Sequence, residues 1–169
     1  HTNGGGMILL SDGTVLVKTF SGGTDGYGNT YDKLTPNSSG SYVGGTWSSI
    51  APMANTRLYY STQVLKDGRV YVAGGEYGTG GSLGEVYDPL TDAWTTKTPI
   101  PQVAASIASA VVNNKIYAIT PTLTMIYDPQ NDSWSQGAPP PSGHVAIGGV
   151  TTGTFAPLRI YTFSVSKVL

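Results

Sequence analysis

The chain has no cysteine, only two histidines and few charged residues, and each shortage excludes a class of protein. Without cysteine it has no disulfide, no thiolate metal site and no cysteine nucleophile. Charged residues make up 11% of the 169 residues and the net charge is −1, whereas ordinary soluble proteins carry roughly 25%. A nucleic-acid binder that relies on phosphate contacts needs a basic face, so this composition excludes that function.

Long apolar runs are also missing. No stretch approaches the roughly 18 apolar residues of a membrane span, so we expect no membrane-spanning segment. The chain starts at His1 without methionine and shows no signal peptide, which favours a processed or truncated N-terminus. Its low charge and its many serine, threonine and tyrosine residues favour a secreted or periplasmic protein.

The carboxylates and histidines form no catalytic pattern. A glycosidase needs a pair of placed carboxylates, but Glu76 and Glu85 are the only glutamates and the aspartates mostly occupy turn sequences. His1 and His144 would share a metal only if the chain brought its ends together. We therefore predict no catalytic residue, no metal site and no cofactor.

Two tripeptides match the acceptor pattern for N-linked glycosylation. They are Asn37-Ser38-Ser39 and Asn131-Asp132-Ser133. Because such matches arise often by chance in a chain rich in asparagine and serine, they carry little weight in the sequence alone.

A four-strand unit recurs along the chain, most clearly over residues 57–94. Its second apolar run, residues 69–73, shows little alternation, which predicts a strand covered on both faces. Gly74-Gly75 ends that run, as at a bulge or a close backbone approach. Asp88-Pro89 ends the third run, since proline has no N–H to donate to a ladder.

Recurring tryptophans set the period of the unit. They lie 47 and 40 residues apart, each preceded by a Tyr-Asp pair: Tyr31-Asp32 before Trp47, Tyr87-Asp88 before Trp94 and Tyr127-Asp128 before Trp134. The three aspartates are predicted to cap turns and the tryptophans to pack the blades. Tyrosine and tryptophan are separated by 16 residues in the first copy and by 7 in the others, which predicts a nine-residue insertion within residues 33–45. A period in the forties with four strands is typical of β-propeller blades, so the predicted fold class is all-β, built from four-stranded antiparallel sheets.

The motif resembles the kelch repeat, in which a glycine pair follows an apolar strand and Tyr-Asp-Pro and then tryptophan come later. Gly74-Gly75 and the segment 87–94 match it closely, residues 127–134 match its second half, and the first copy has Lys33 where proline is usual. The resemblance implies a kelch-type β-propeller. It says almost nothing about activity, since kelch propellers host oxidases, isomerases and binding modules.

The predicted blades cover residues 1–53, 54–101 and 102–141, with a partial blade at 142–169 in a single propeller segment. Propellers close with about four to eight blades, so the ring is expected to be incomplete. Three arrangements remain open: a fragment of a longer propeller, two copies that pair to complete a ring, and a compact four-blade closure.

Strand direction predicts where a ligand would bind. In an up-and-down blade, the loop before the first strand and the loop after the glycine pair lie on one face, which we call the upper face. Loops on a rigid scaffold usually carry function, and the candidate ligand-binding residues on this face are Arg57, Tyr77, Glu76, Asp25 and Tyr27. The alternative for Arg57 is a solvated or loop-anchoring residue, and for the tyrosines it is loop packing.

The predicted function is a non-catalytic binding or interaction module with a protein or carbohydrate ligand on the upper face. One alternative is a structural extracellular unit that assembles with itself, for example as a homodimer. Another is a fragment of a protein similar to the kelch copper-radical oxidases. Their centre needs a cysteine crosslinked to tyrosine, so this chain cannot form it alone.

Overall fold

The computed structural model describes residues 4–19, 28–58, 60–75, 78–79, 81–102, 107–142, 146–151 and 160–164. Every regular element within these ranges is a β-strand, and no helix there is long and apolar enough to cross a membrane. The strands form four antiparallel sheets, and in each sheet they are hydrogen-bonded in chain order. The prediction of four-stranded up-and-down sheets is confirmed.

The strands have the following bounds. The first sheet contains β1 (Gly4–Leu9), β2 (Val15–Thr19), β3 (Thr30–Thr35) and β4 (Thr46–Ser49). The second contains β5 (Ser61–Val64), β6 (Val70–Ala73), β7 (Gly84–Asp88) and β8 (Ala93–Lys97). The third contains β9 (Ala108–Val112), β10 (Lys115–Ile119), β11 (Thr124–Asp128) and β12 (Ser133–Gln136). A two-stranded sheet contains β13 (Ala146–Thr151) and β14 (Ile160–Ser164).

The core lies between successive sheets, and β6 contributes to both sides of it. Val70 and Val72 pack towards the first sheet, and Tyr71 and Ala73 pack towards the third. All four residues are 0% exposed. Because both faces of β6 are covered, its sequence shows no alternation of apolar and polar residues, as predicted.

The glycine pair after β6 meets the backbone of the preceding linker. Gly75 has a φ of +131°, and a Cβ there would lie 3.3 Å from the carbonyl oxygen of Leu58. This is the close backbone approach that the sequence predicts for the pair.

The pairing of β3 with β4 corrects the alignment of the first sheet. Leu34, and not Tyr31, lies opposite Trp47, in the way that Tyr87 lies opposite Trp94. The separation of these partners is 13 residues in the first sheet and 7 in the second, so the insertion is six residues long rather than nine.

The same shift changes the roles of two residues. Pro36 takes the motif position of proline, and the expectation that Lys33 replaces it is wrong. Asp32 lies inside β3, where it accepts a hydrogen bond from Ser49 Oγ at 2.9 Å, so turn capping by Asp32 is also wrong. Turn capping is confirmed for the other two: Leu90 N–H donates to Asp88 at 2.9 Å and Gln130 N–H donates to Asp128 at 3.0 Å.

Trp94 and Trp134 join neighbouring sheets, as expected of packing residues. Their indole N–H groups donate to the carbonyl oxygens of Ala51 at 2.7 Å and Thr98 at 3.1 Å, in the linkers from the preceding sheets. Trp47 is 43% exposed, on the side of the first sheet that no preceding sheet covers. On the same side, Met7 is 73% and Leu9 62% exposed, as expected for an incomplete ring.

Tyr71 and Gly84 form a matched pair on the face of the second sheet towards the third. The ring of Tyr71 stacks on Tyr127 at 4.4 Å between centroids, and its hydroxyl lies over Gly84. In the first sheet the large and small residues are exchanged, because Leu16 stands at the position of Tyr71 and Tyr31 at that of Gly84. In each of the two sheets, one tyrosine therefore fills the space beside this pair of positions.

We predict that Gly84→Ala lowers the free energy of unfolding by about 1–3 kcal/mol, because the added Cβ overpacks this space. It would lie 2.9 Å from Tyr71 Oη and 3.3 Å from the carbonyl oxygen of Thr98. Urea unfolding measures the change. Gly6→Ala is the matched control, since a Cβ at Gly6 meets nothing within 4 Å.

A double-mutant cycle identifies the cause of that loss. Tyr71→Phe removes the hydroxyl, which is buried without a hydrogen-bond partner among the described residues. In the Tyr71→Phe background, Gly84→Ala should therefore cost less. An equal cost in both backgrounds would contradict this account of the packing.

Candidate functional site

The upper face is formed by the linkers that precede β5 and β9 and by the loops that follow β6 and β10. Of the five predicted ligand-binding residues, the structure describes Arg57. The other four lie outside the described residues, as do His1 and His144: they are Asp25, Tyr27, Glu76 and Tyr77. Their positions stay predictions.

Arg57 is completely buried beneath the upper face. Its side chain is 0% exposed, and Nη2 lies 2.7 Å from Glu85 Oε2 in an ion pair. Its Nη1 donates to the carbonyl oxygens of Gly74 and Leu83, each at 2.7 Å. The guanidinium therefore holds both ends of the loop that joins β6 to β7.

Glu85 extends this network into the linker before β5. Its Oε1 accepts a hydrogen bond from the backbone N–H of Ala54 at 2.7 Å, and its Oε2 accepts one from Asn55 Nδ2 at 3.3 Å. Together with Arg57, Glu85 fastens the linker to the second sheet. This is the loop-anchoring alternative for Arg57, and contact between Arg57 and a ligand stays a prediction.

A second buried polar cluster lies between the first and second sheets. Lys18 is 4% exposed, and its Nζ lies 5.8 Å from the centroid of the Tyr60 ring. Burial lowers the pKa of Lys18 to about 8. The hydroxyls of Tyr31 and Tyr60 form a hydrogen bond, and burial raises the pKa of Tyr31 to about 12. The sequence analysis missed this cluster, although a lysine within the apolar run of β2 was a signal for it.

A pocket of about 240 Å³ opens on the upper face at the third sheet. It lies between the linker before β9, the loop before β11 and the end of β12. Its lining residues are Pro101, Gln102, Leu123, Met125, Trp134, Ser135 and Gln136. The floor is apolar, because Met125 is buried and Trp134 is half-buried, whereas both glutamines are exposed.

The pocket is lined in part by counterparts of residues that bind Arg57 in the second sheet. Counting back from the paired residues Tyr87 and Tyr127, Leu123 corresponds to Leu83 and Met125 corresponds to Glu85. Two of the three partners of the guanidinium, Leu83 and Glu85, thus have counterparts in the pocket lining, but methionine replaces the carboxylate. Counting from the tryptophans, the counterpart of Arg57 is Ala104, which lies outside the described residues. Of the ion pair in the second sheet, the described residues of the third sheet thus keep an apolar replacement for the carboxylate, Met125.

Two further residues support the face opposite to the pocket, in the turns before β8 and β12, and the sequence analysis missed them. Asp92 and Asp132 each accept a hydrogen bond from a tyrosine hydroxyl, Tyr87 at 2.9 Å and Tyr127 at 2.6 Å. The sequence signal is an aspartate two residues before Trp94 and two residues before Trp134. Among the residues that the structure describes, no group of three or more histidine, aspartate or glutamate side chains could hold a metal ion.

Comparison with known proteins agrees with the fold. The Kelch motif family matches residues 58–101. F-box protein AFR of Arabidopsis thaliana is 34% identical over 73 residues, Kelch-like protein terF of Aspergillus terreus 34% over 83 residues, and spermatocyte protein spe-26 of Caenorhabditis elegans 33% over 79 residues. The alignments cover 41%, 44% and 42% of this chain and 19%, 18% and 14% of the relatives. The chain thus spans less than a fifth of their length.

The solved structure of YjhT matches with a TM-score of 0.66 and 16% identity, over 86% of this chain and 53% of that one. With the four-stranded sheets and the motif match, this similarity defines the fold. The chain is a kelch-repeat β-propeller segment with an incomplete ring. Kelch repeats generally mediate protein interactions.

We predict that Arg57→Met lowers the free energy of unfolding by about 3–5 kcal/mol, because it leaves the buried carboxylate of Glu85 without its partner. Adding Glu85→Met should recover much of the loss, since an apolar pair of similar volume replaces the charges. Urea unfolding measures both variants.

Arg69→Met is the matched control for this prediction. Arg69 pairs with Asp67 at 2.7 Å, but these side chains are 36% and 51% exposed. Removing an exposed pair should cost less than about 1 kcal/mol. If Arg57→Met cost no more than Arg69→Met, the buried pair would not be what anchors the linker.

We predict that stability rises between pH 7.5 and 9.5 because of Lys18. Its pKa is about 8 in the folded chain and near the ordinary 10.5 in the unfolded chain, so the unfolded state binds more protons across this range. The free energy of unfolding should increase by roughly 1–2 kcal/mol, measured by urea unfolding at each pH. Lys18→Met should abolish the rise. A flat profile for the unaltered chain would contradict the prediction.

Proposed function

We propose that this chain is a protein-binding kelch module whose ligand inserts an apolar side chain into the pocket at the third sheet. The observation that carries the proposal is that the pocket is lined by Leu123 and Met125, the counterparts of Leu83 and Glu85, which bind Arg57 in the second sheet. Because Met125 stands in place of the carboxylate of Glu85, the pocket favours an apolar side chain. A buried anchor in a preformed pocket is the usual centre of a protein interface.

The rim of the pocket suits the backbone of a bound segment. Gln102 and Gln136 line the pocket and are exposed, and each carries both a hydrogen-bond donor and an acceptor. The loop between β10 and β11 is short, and Thr120 holds it: Leu123 N–H donates to Thr120 Oγ1 at 3.0 Å. A rigid rim lowers the entropy lost on binding.

The other functions that the sequence predicts remain proposals with less support. Contacts by the upper-face residues predicted from the sequence would enlarge this binding surface around the pocket. The exposed side of the first sheet, with Met7 and Leu9, offers a surface for self-association into a homodimer. Three further proposals rest on the sequence and its resemblance alone: secretion, a carbohydrate ligand, and a fragment of a kelch-type copper-radical oxidase.

We predict that peptides selected from a random library on this protein share one apolar side chain. Leu123→Asp should weaken their binding by at least about tenfold, because it places a charge in the desolvated pocket. Isothermal titration calorimetry measures the affinity. Leu90→Asp is the matched control, since Leu90 is 94% exposed in the turn between β7 and β8, on the opposite face.

Two outcomes would reject the proposal. Selected peptides without an apolar consensus, or equal weakening by both aspartate variants, would place the binding site elsewhere. The pocket would be assigned to a carbohydrate if the protein bound simple sugars but no peptide, and if Leu123→Asp abolished the sugar binding.

A further inference from the structure

The insertion in the first sheet folds into a turn that is centred on Asn37. Its side-chain Oδ1 accepts three hydrogen bonds: from Ser39 N–H at 3.0 Å, from Ser39 Oγ at 2.7 Å and from Ser41 N–H at 2.9 Å. The serine that completes the acceptor tripeptide Asn37-Ser38-Ser39 thus contacts the carboxamide directly. Three donors on the oxygen draw electron density from the amide and polarise it.

The amide nitrogen of Asn37 stays accessible in this turn. Asn37 is exposed, and none of the described residues accepts a hydrogen bond from its Nδ2. The backbone bonds of the turn are also local: Asn37 N–H donates to Ser41 at 3.0 Å and Gly40 N–H donates to Asn37 at 2.8 Å. Because every bond lies within residues 37–41, the turn does not need the rest of the blade in order to form.

The second tripeptide, Asn131-Asp132-Ser133, lacks this arrangement. Ser133 lies in β12, where it pairs with Asp128, and Asp132 has a positive φ of 47°. The Nδ2 of Asn131 donates to Asp128 Oδ2 at 3.2 Å. The two tripeptides share the acceptor pattern, but the hydroxyl-to-carboxamide contact is a feature of the first.

We propose that Asn37 is an N-glycosylation site and that Asn131 is not. A transferase would join Asn37 Nδ2 to C1 of a sugar carried as a lipid-linked glycosyl diphosphate. The C1–N bond forms as the C1–O bond to phosphate breaks, the lipid diphosphate leaves, and a base of the transferase takes one amide proton. The proposal rests on the secreted location proposed above. The experiment below supplies that location, because it expresses the chain behind a secretion signal.

A glycan at Asn37 would cover an apolar segment of the loop between β3 and β4. A Cβ on Gly44 would lie 2.9 Å from Asn37 Nδ2, so the attached sugar begins beside the segment 42–45. In this segment Val43 is fully exposed and Tyr42 is 42% exposed. The adjacent strand β4 is an exposed sheet edge. A bulky polar group there would shield the apolar side chains and block edge-to-edge pairing.

The test uses the 169-residue chain expressed behind a cleavable secretion signal in eukaryotic cells. Intact mass is measured before and after peptide N-glycosidase treatment in ¹⁸O water, which marks each glycosylated asparagine as labelled aspartate. We expect one glycan, at Asn37. Asn37→Gln and Ser39→Ala should remove it, whereas Asn131→Gln should leave it in place. If the chain is retained in the cells, the intracellular protein is measured in the same way.

A further variant separates the turn from the tripeptide. Gly40→Ala leaves the tripeptide intact, but Gly40 has a φ of +79°, which alanine adopts poorly. Occupancy at Asn37 should fall, because alanine at this positive φ destabilises the turn. Unchanged occupancy would overturn the role of the turn. A glycan at Asn131 or no glycan at all would overturn the assignment of the site.

Discussion

The guanidinium of Arg57 joins three segments of the chain that are far apart in sequence. It lies beneath the linker from the first sheet, holds the loop between β6 and β7 by two carbonyl oxygens, and pairs with Glu85 on β7. Two buried charges tolerate this position because hydrogen bonds to the backbone replace the lost water. The linker that they fix carries Met53 into the core between the sheets, so the packing of the two blades depends on this pair.

The third sheet shows what the fold does without that pair. Met125 stands where Glu85 stands in the second sheet, and a pocket opens beside Met125. The third sheet keeps its other hydrogen bonds, since the indole N–H of Trp134 still donates to the preceding linker and the hydroxyl of Tyr127 still donates to Asp132. A repeat fold can therefore release one position from a structural role while neighbouring copies maintain the scaffold.

Variation between the copies also affects packing and the surface. The large residue of a matched pair is Tyr31 in the first sheet and Tyr71 in the second, so the same interior space is filled from different strands. The insertion of the first sheet contains a turn that its own side chains stabilise, and Tyr42, which follows this turn, donates a hydrogen bond to the carbonyl oxygen of Gly13 at 2.7 Å. Such a segment lengthens the loop between β3 and β4 without changing the strand order.

The sequence alone determined the all-β class, the four-strand repeat, the kelch resemblance and the packing role of Trp94 and Trp134. These features depend on period, turn residues and apolar runs, which are local and repeated. Only the tertiary structure decided that Leu34 lies opposite Trp47, that Arg57 is buried against Glu85, and that a pocket opens beside Leu123. Each of these depends on strand pairing across a loop or on which of two distant side chains fills a space. Neither the strand pairing nor the choice of the side chain that fills a space is encoded in the residues of one short segment.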